Sequence, residues 1–169
     1  FMEFERLGND VIILGDLLHN KEIVSGSCLN TYYRCMKASS LKFIVLVGNH
    51  DFFTNECKDH SLQSLKELPN VTVVDKPAII ENMLLLPYYH DFDMFRIVTH
   101  HARDQDVDTL IMHQGVNKCD YGNGFIAENE IELEEIAHFK RVISGHFHKY
   151  QERENLIYIG TPFSHSFGE

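Results

Sequence analysis

The chain alternates between amphipathic stretches of helical periodicity and short apolar runs that end abruptly in glycine or polar residues. Phe1 to Leu7 is amphipathic and stops at Gly8, the pattern of a closing helix with glycine beyond its C-terminus. Val11 to Leu14 reads as a short strand, Ser27 as the cap of a helix through Leu29, Tyr32, Tyr33 and Met36, and Phe43 to Val47 as a second buried strand. A helix near Ser61 to Leu68 follows, then short strands at Val71 to Val74 and Met83 to Leu86, and a helix from Asp91 to about Ala102. Leu110 to Met112 is the next strand, Glu130 to Phe139 a helix, and Val142 to Ser144 a strand. Leu156 to Ile159 is a last strand feeding the turn at Gly160-Thr161-Pro162. This order predicts an α/β fold in one domain, without repeat or linker.

Parallel strands joined by helices put functional residues in the loops just past the strand carboxyl ends. Four apolar runs here are followed at once by ligand-type residues: Gly15-Asp16, Gly48-Asn49-His50-Asp51, His113-Gln114-Gly115 and Gly145-His146-Phe147-His148. A carboxylate can bridge two cations, an amide oxygen suits a hard ion, and imidazole suits Mn, Fe or Zn. Asp16, Asn49, His113, His146 and His148 therefore make a mixed nitrogen and oxygen set that favours transition metals over calcium. Glycine before Asp16, Asn49 and His146 lets the backbone turn sharply as each strand ends. An extended His146-Phe147-His148 would place both imidazoles on one face and turn Phe147 into the core.

Composition narrows the class without changing this picture. With 44% apolar and 24% charged residues, disordered and fibrous classes are excluded. No apolar run approaches the ~20 residues of a membrane span, and the start at Phe1 shows no basic region followed by an apolar signal segment. The four cysteines, Cys28, Cys35, Cys57 and Cys119, form no close C-x-x-C pair and read as reduced thiols packed in the fold. The expected location is cytoplasmic, in a bacterium or in the host of a virus. A net charge of -10 argues against a basic nucleic-acid-binding face. It does not exclude a nucleic-acid substrate, because divalent cations in a carboxylate-rich site reverse the local field.

In order along the chain, Gly15-Asp16, Gly48-Asn49-His50-Asp51, His113 and Gly145-His146-Phe147-His148 resemble the motifs of the calcineurin-like metallophosphoesterase superfamily. Gly15-Asp16-Leu17-Leu18-His19, Leu86-Pro87-Tyr88-Tyr89 and Gly160-Thr161-Pro162-Phe163 through Phe167-Gly168-Glu169 are similar to the nuclease subunits of SbcD-type DNA double-strand-break repair complexes, phage recombination nucleases included. The resemblance implies a four-layer α/β/β/α sandwich and two divalent ions, manganese first, with iron, zinc or magnesium as alternatives. It implies Asp16 as bridging ligand, Asn49, His113 and His146 completing one site, and His148 binding the other metal. It also implies His50 as the catalytic histidine, oriented by Asp51, and hydrolysis of DNA by in-line attack of an activated water. Its partners would be DNA, a second copy of the chain, and an SbcC/Rad-type coiled-coil ATPase bound through regions beyond Glu169.

The family pattern opens with an Asp-x-His pair on the first strand, and no such pair precedes Asp16; Glu3, Glu5 and Asp10 lack a histidine two places on. The expectation is a core over residues 1–169 that lacks its first strand and is truncated at both ends. Two rival readings stay open. One is a phosphoesterase acting on small phosphodiesters or phosphoproteins, against which Leu86-Pro87-Tyr88-Tyr89 and the C-terminal motif stand. The other is a catalytically defective scaffold binding an ATPase or DNA, favoured only if the protein truly lacks Asp-x-His.

Other candidates read more plainly. His19 is expected behind the ligands rather than among them. His100 and His101 fall on different sides of a helix, and His60, His90, His138 and His165 have no supporting spacing. Tyr88 and Tyr89 read as core aromatics at a strand end or as residues that touch a nucleotide, the core reading preferred, and Phe163 and Phe167 as residues that pack or dock a continuation of the chain. Glu128, Glu130, Glu132, Glu134 and Glu135 read as a solvated helix face.

Overall fold

Strands that are apolar on both faces need cover on both sides, and two sheets lying face to face with helices outside supply it. The computed structural model describes residues 2–19, 25–122 and 124–162. The first sheet holds β1 (Val11–Ile13), β2 (Phe43–Leu46) and β3 (Val71–Val74), all parallel and in that order. Its outer face, Phe43, Val45 and Val71, packs with Met36 of α2 (Gly26–Ala38) and Leu65 of a 3-10 turn, Gln63–Glu67.

The second sheet holds β4 (Ala78–Ile80), β5 (Met83–Leu86), β6 (Thr109–Met112), β7 (Arg141–Ser144), β8 (Gln151–Arg153) and β9 (Leu156–Tyr158), in the order β4-β5-β6-β7-β9-β8. The four inner strands are parallel, and β4 and β8 are antiparallel edges. Leu84, Leu86, Leu110, Met112 and Val142 face Phe95 of α3 (Phe92–His101) and Ile136 of α4 (Leu133–Ile136). The opposite face turns Leu85 and Ile111 toward Leu46 and Val74 of the first sheet. The layers are thus α/β/β/α. A short α1 (Met2–Leu7) lies outside, tied by the Glu5 carboxylate to Ser39 and Ser40. Among the described residues no helix is long and apolar enough to cross a membrane.

Several elements depart from expectation for local reasons. The cap of α2 is Ser25, whose Oγ accepts the Cys28 amide, and not Ser27. The stretch Ser61 to Leu68 closes as a 3-10 turn. Only Leu133–Ile136 of the expected helix from Glu130 to Phe139 forms; Glu132 caps it in a reciprocal box with Glu135. The glutamates around it are therefore no single solvated face: Glu135 pairs with Arg96 at 2.6 Å, and Glu130 is half-buried. Strands β4 and β8 had no expectation. Each enters a two-residue hairpin loop whose first residue, Glu81 or Glu154, sits at φ 56° or 54°, where the usual sequence signal is Asn or Gly.

Candidate functional site

Because β1 and β2 are parallel, as are β5, β6, β7 and β9, all their carboxyl ends open on one edge of the sandwich. A backbone hydrogen bond joins the two sheets at that edge, and others continue along the second sheet. Tyr88 N–H donates to Val47 O at 2.9 Å, joining the end of β5 to the end of β2. His113 N–H donates to Leu86 O at 3.3 Å and Gly145 N–H to Met112 O at 3.4 Å. Approach is close enough to exclude side chains at Gly15, Gly48 and Gly145. A Cβ on Gly48 would lie 2.2 Å from Asp16 Oδ1, and one on Gly145 would lie 2.5 Å from Leu14 O. Asp16 itself adopts φ 51°, a region that costs a non-glycine residue about 1–2 kcal/mol and that collects at functional sites.

Three side chains meet here. Nε2 of buried His113 lies 3.0 Å from Asn49 Oδ1 and 3.2 Å from Asp16 Oδ2. Donor atoms about 3 Å apart fit a shared cation with bonds of about 2.1 Å. The other ring nitrogen, Nδ1, donates to Leu14 O, which fixes the tautomer and leaves the Nε2 lone pair facing Asp16 and Asn49. Burial pushes His113 down, but Asp16 outweighs it and the pKa is raised. Burial likewise pushes Asp16 up, yet His113 and the His50 amide hold it at about 2.

His146 completes the group. Its ring is edge-on to His113, centroids 5.0 Å apart, and burial, reinforced by His113, holds its pKa near 3, so it is neutral and competent as a ligand. Its Nδ1 is buried with no hydrogen-bond partner, the kind of orphan a bound cation would satisfy. Among the described residues no three His, Cys, Asp or Glu side chains come close enough to hold an ion alone; the atoms that converge are those of Asp16, His113 and the Asn49 amide oxygen, with His146 beside them. On these observations the donor set of Asp16, Asn49 and His113, with His146 adjoining, fits a divalent ion.

His50 stands beside the group through its backbone, its N–H donating to Asp16 Oδ1 at 2.9 Å. The expected partner of its ring is corrected. Asp51 is buried and accepts the amides of Gly48, Leu18 and Leu17 at 2.9, 3.0 and 3.4 Å, so both its oxygens are turned away into backbone. Burial leaves its pKa at about 6 despite those donors. The His50 ring is held instead by His19: Nδ1 donates to His19 O at 2.6 Å, and the two rings stack at 5.7 Å. His19 thus acts on His50, through its carbonyl and its ring. Residues 146–149 bend rather than extend. Phe147 still turns inward, stacked on Tyr158 at 4.8 Å, while the His148 carbonyl accepts the Thr161 amide.

Other side chains support the group in ways their sequence positions did not specify. Gln114 is fully buried and joins three strand ends: Oε1 accepts the Tyr89 amide at 3.2 Å, and its carbonyl accepts Ser144 Oγ at 3.0 Å and Tyr158 OH at 2.9 Å. Tyr88 packs against the core of the first sheet from its margin. It is half-buried and stacks on His146 at 5.9 Å, and burial first, then Glu130, pushes its phenol up to about 12. His60 is buried, accepting the Leu62 amide on Nδ1 and meeting Asp75 through Nε2. His100 and His101 are exposed at the end of α3, and His90 is exposed as well. Phe163, His165, Phe167, Gly168 and Glu169, with the motif they carry, lie outside the described residues.

The sequence model of the calcineurin-like phosphoesterase family matches residues 3–150. The protein named "Putative phosphoesterase 244L" of Invertebrate iridescent virus 6 is 29% identical over 190 residues, covering 98% of this chain and 63% of that protein. "Putative phosphoesterase 078R" of Invertebrate iridescent virus 3 is 27% identical over 174 residues, covering 94% and 49%. "Exonuclease subunit 1" of Enterobacteria phage T4 is 28% identical over 130 residues, covering 73% and 38%. The chain spans about half the length of the curated relatives it matches.

Proposed function

The chain belongs to the calcineurin-like phosphoesterase family, and from that premise we propose that it hydrolyses phosphodiester bonds of DNA with divalent ions held at the gathered strand ends. The observation that carries this reading is the convergence of His113 Nε2, Asn49 Oδ1 and Asp16 Oδ2 within 3.2 Å, with the His50 amide on the other oxygen of the same carboxylate. The exonuclease name of the T4 relative supports DNA as the substrate.

In this mechanism Asp16, Asn49, His113 and His146 would hold one ion, and Asp16 and His148 would contribute to a second. Ions held there supply charge neutralisation for the phosphate and a water acidic enough to attack at neutral pH. Manganese suits the mixed imidazole, amide and carboxylate set. The chain's own residues do the rest. His113 is fixed by the Leu14 carbonyl, so its Nε2 stays a lone-pair donor. His50, with Nδ1 committed to His19 O, takes up and releases its second proton at Nε2, where it contacts the scissile phosphate and protonates the leaving oxygen. The ions also offset the chain's charge of -10, which would otherwise repel a polyanion.

The same reading assigns the whole protein a homodimer and a coiled-coil ATPase partner of SbcC/Rad type. The word "subunit" in the T4 relative's name supports an assembly. To separate DNA from other phosphoesters, the full-length protein is given linear DNA and p-nitrophenyl phosphate, a monoester, side by side with manganese. Manganese-dependent release of nucleotides with little monoester turnover is expected. Turnover of the monoester alone would overturn the DNA assignment.

A further inference from the structure

The two tyrosines after β5 are used differently. Tyr89 sets its ring edge-on to Phe95 and joins the core beneath α3, whereas Tyr88 stacks on His146 with planes 22° apart. Both border a cavity of about 720 Å³, within the range of small-molecule sites. Its lining takes in Phe52 and residues 55–58, from the loop that follows His50 and Asp51 in sequence, and Tyr88 links it to the candidate site through the contact with His146.

The charges of the cavity say what it will accept. Its wall carries three carboxylates, Glu56, Asp75 and Asp91, against two lysines, Lys58 and Lys76. The carboxylates are already engaged: Glu56 pairs with Lys58 at 2.8 Å, Asp75 with Lys66 at 2.6 Å, and Asp91 caps α3 by accepting the Asp93 and Met94 amides. With its carboxylates paired or capping, the wall carries no excess of charge to select a phosphate, while aromatic faces attract a flat uncharged ring.

We propose that this cavity is the subsite for the nucleobase adjoining the scissile phosphate, with Tyr88 as its stacking platform. The proposal rests on the phosphodiesterase reading above, which places the phosphate at Asp16, Asn49, His113 and His146. Stacking on an aromatic face tolerates every base, so such a subsite gives grip without sequence preference.

The test compares binding of thymidine 5′-monophosphate with that of deoxyribose 5-phosphate, the same phosphate without its base. It is done by calorimetry on the full-length protein with manganese present. The base should tighten binding about tenfold, in line with measured stacking on aromatic side chains. Tyr88→Leu should bring the nucleotide down to the affinity of the sugar phosphate, and Tyr88→Phe should restore the difference. Saturation-transfer NMR on the unmodified protein needs no variant and should be strongest at the thymine methyl group. Equal affinities for the two ligands, a preference that survives Tyr88→Leu, or transfer confined to the sugar would overturn the subsite. Manganese-dependent hydrolysis of bis(p-nitrophenyl) phosphate, a diester with no base, tests the phosphodiesterase reading separately. Its failure would leave a measured base preference, and hence the subsite, standing.

Discussion

His50 and Asp51 are neighbours with opposite duties, and the hydrogen bonds predict that their loss will look different. The bond from His50 to Asp16 is made by the backbone, so removing the imidazole leaves it in place. His50→Ala should lower kcat about 10²–10⁴-fold, the usual worth of a positioned acid, with manganese content unchanged by elemental analysis. A variant that lost its metal would contradict the role given to His50. Asp51 holds three backbone amides on either side of the ligands, those of Leu17, Leu18 and Gly48. Asp51→Ala strands these donors in the interior and should cost about 2–4 kcal/mol in urea unfolding. It should take metal affinity with it, because Asp16 and Asn49 sit on the two loops that Asp51 joins. Unchanged stability and metal affinity would contradict that account.

At the scale of elements, the segment after Asp51 is a closed loop. Phe52 and His60 pair as an antiparallel bridge, Phe53 N–H donates to Asp59 O at 3.0 Å, and Ser61 N–H to Asp51 O at 2.9 Å. His60 anchors it from inside. Burial holds its pKa below the ordinary histidine value, with Asp75 opposing and Lys66 assisting. The unfolded chain therefore takes up this proton more readily than the folded one, and stability falls as pH drops below about 6.5. His60→Asn keeps an acceptor for the Leu62 amide and removes the titration. Its unfolding midpoint should change less between pH 6.5 and 5 than that of the unmodified protein, and an identical pH profile would refute the assignment.

What the sequence disclosed follows the same physics. The parallel strands were legible because burial on both faces demands unbroken apolar runs such as Phe43 to Leu46, and the ligand residues because they follow those runs directly. Strands β4 and β8 were not, since Glu81 and Glu154 replace the expected turn residues. Glu130 misled because burial by a distant segment leaves no local mark. The His50–His19 contact was hidden for a related reason: a backbone carbonyl has no residue identity to read.

For the molecule as a whole, the site exists only where the two sheets meet. Asp16 and Asn49 come from the first sheet, His113 and His146 from the second, and the layer between them includes Leu46, Leu85 and Ile111. Leu85→Ala, at a fully buried position in that layer, should cost about 2–5 kcal/mol. It should also weaken manganese binding although no ligand is altered, because the relative placement of the sheets sets the distance from His113 to Asn49 and Asp16. Loss of stability with metal affinity intact would separate the site from the packing.

The most direct test is hydrolysis of linear DNA by full-length protein stripped of metal and then supplied with manganese, beside His113→Ala. The account predicts hydrolysis that appears with manganese and is lost when His113 is removed. Absence of manganese-stimulated hydrolysis, or equal rates from the two proteins, would contradict it.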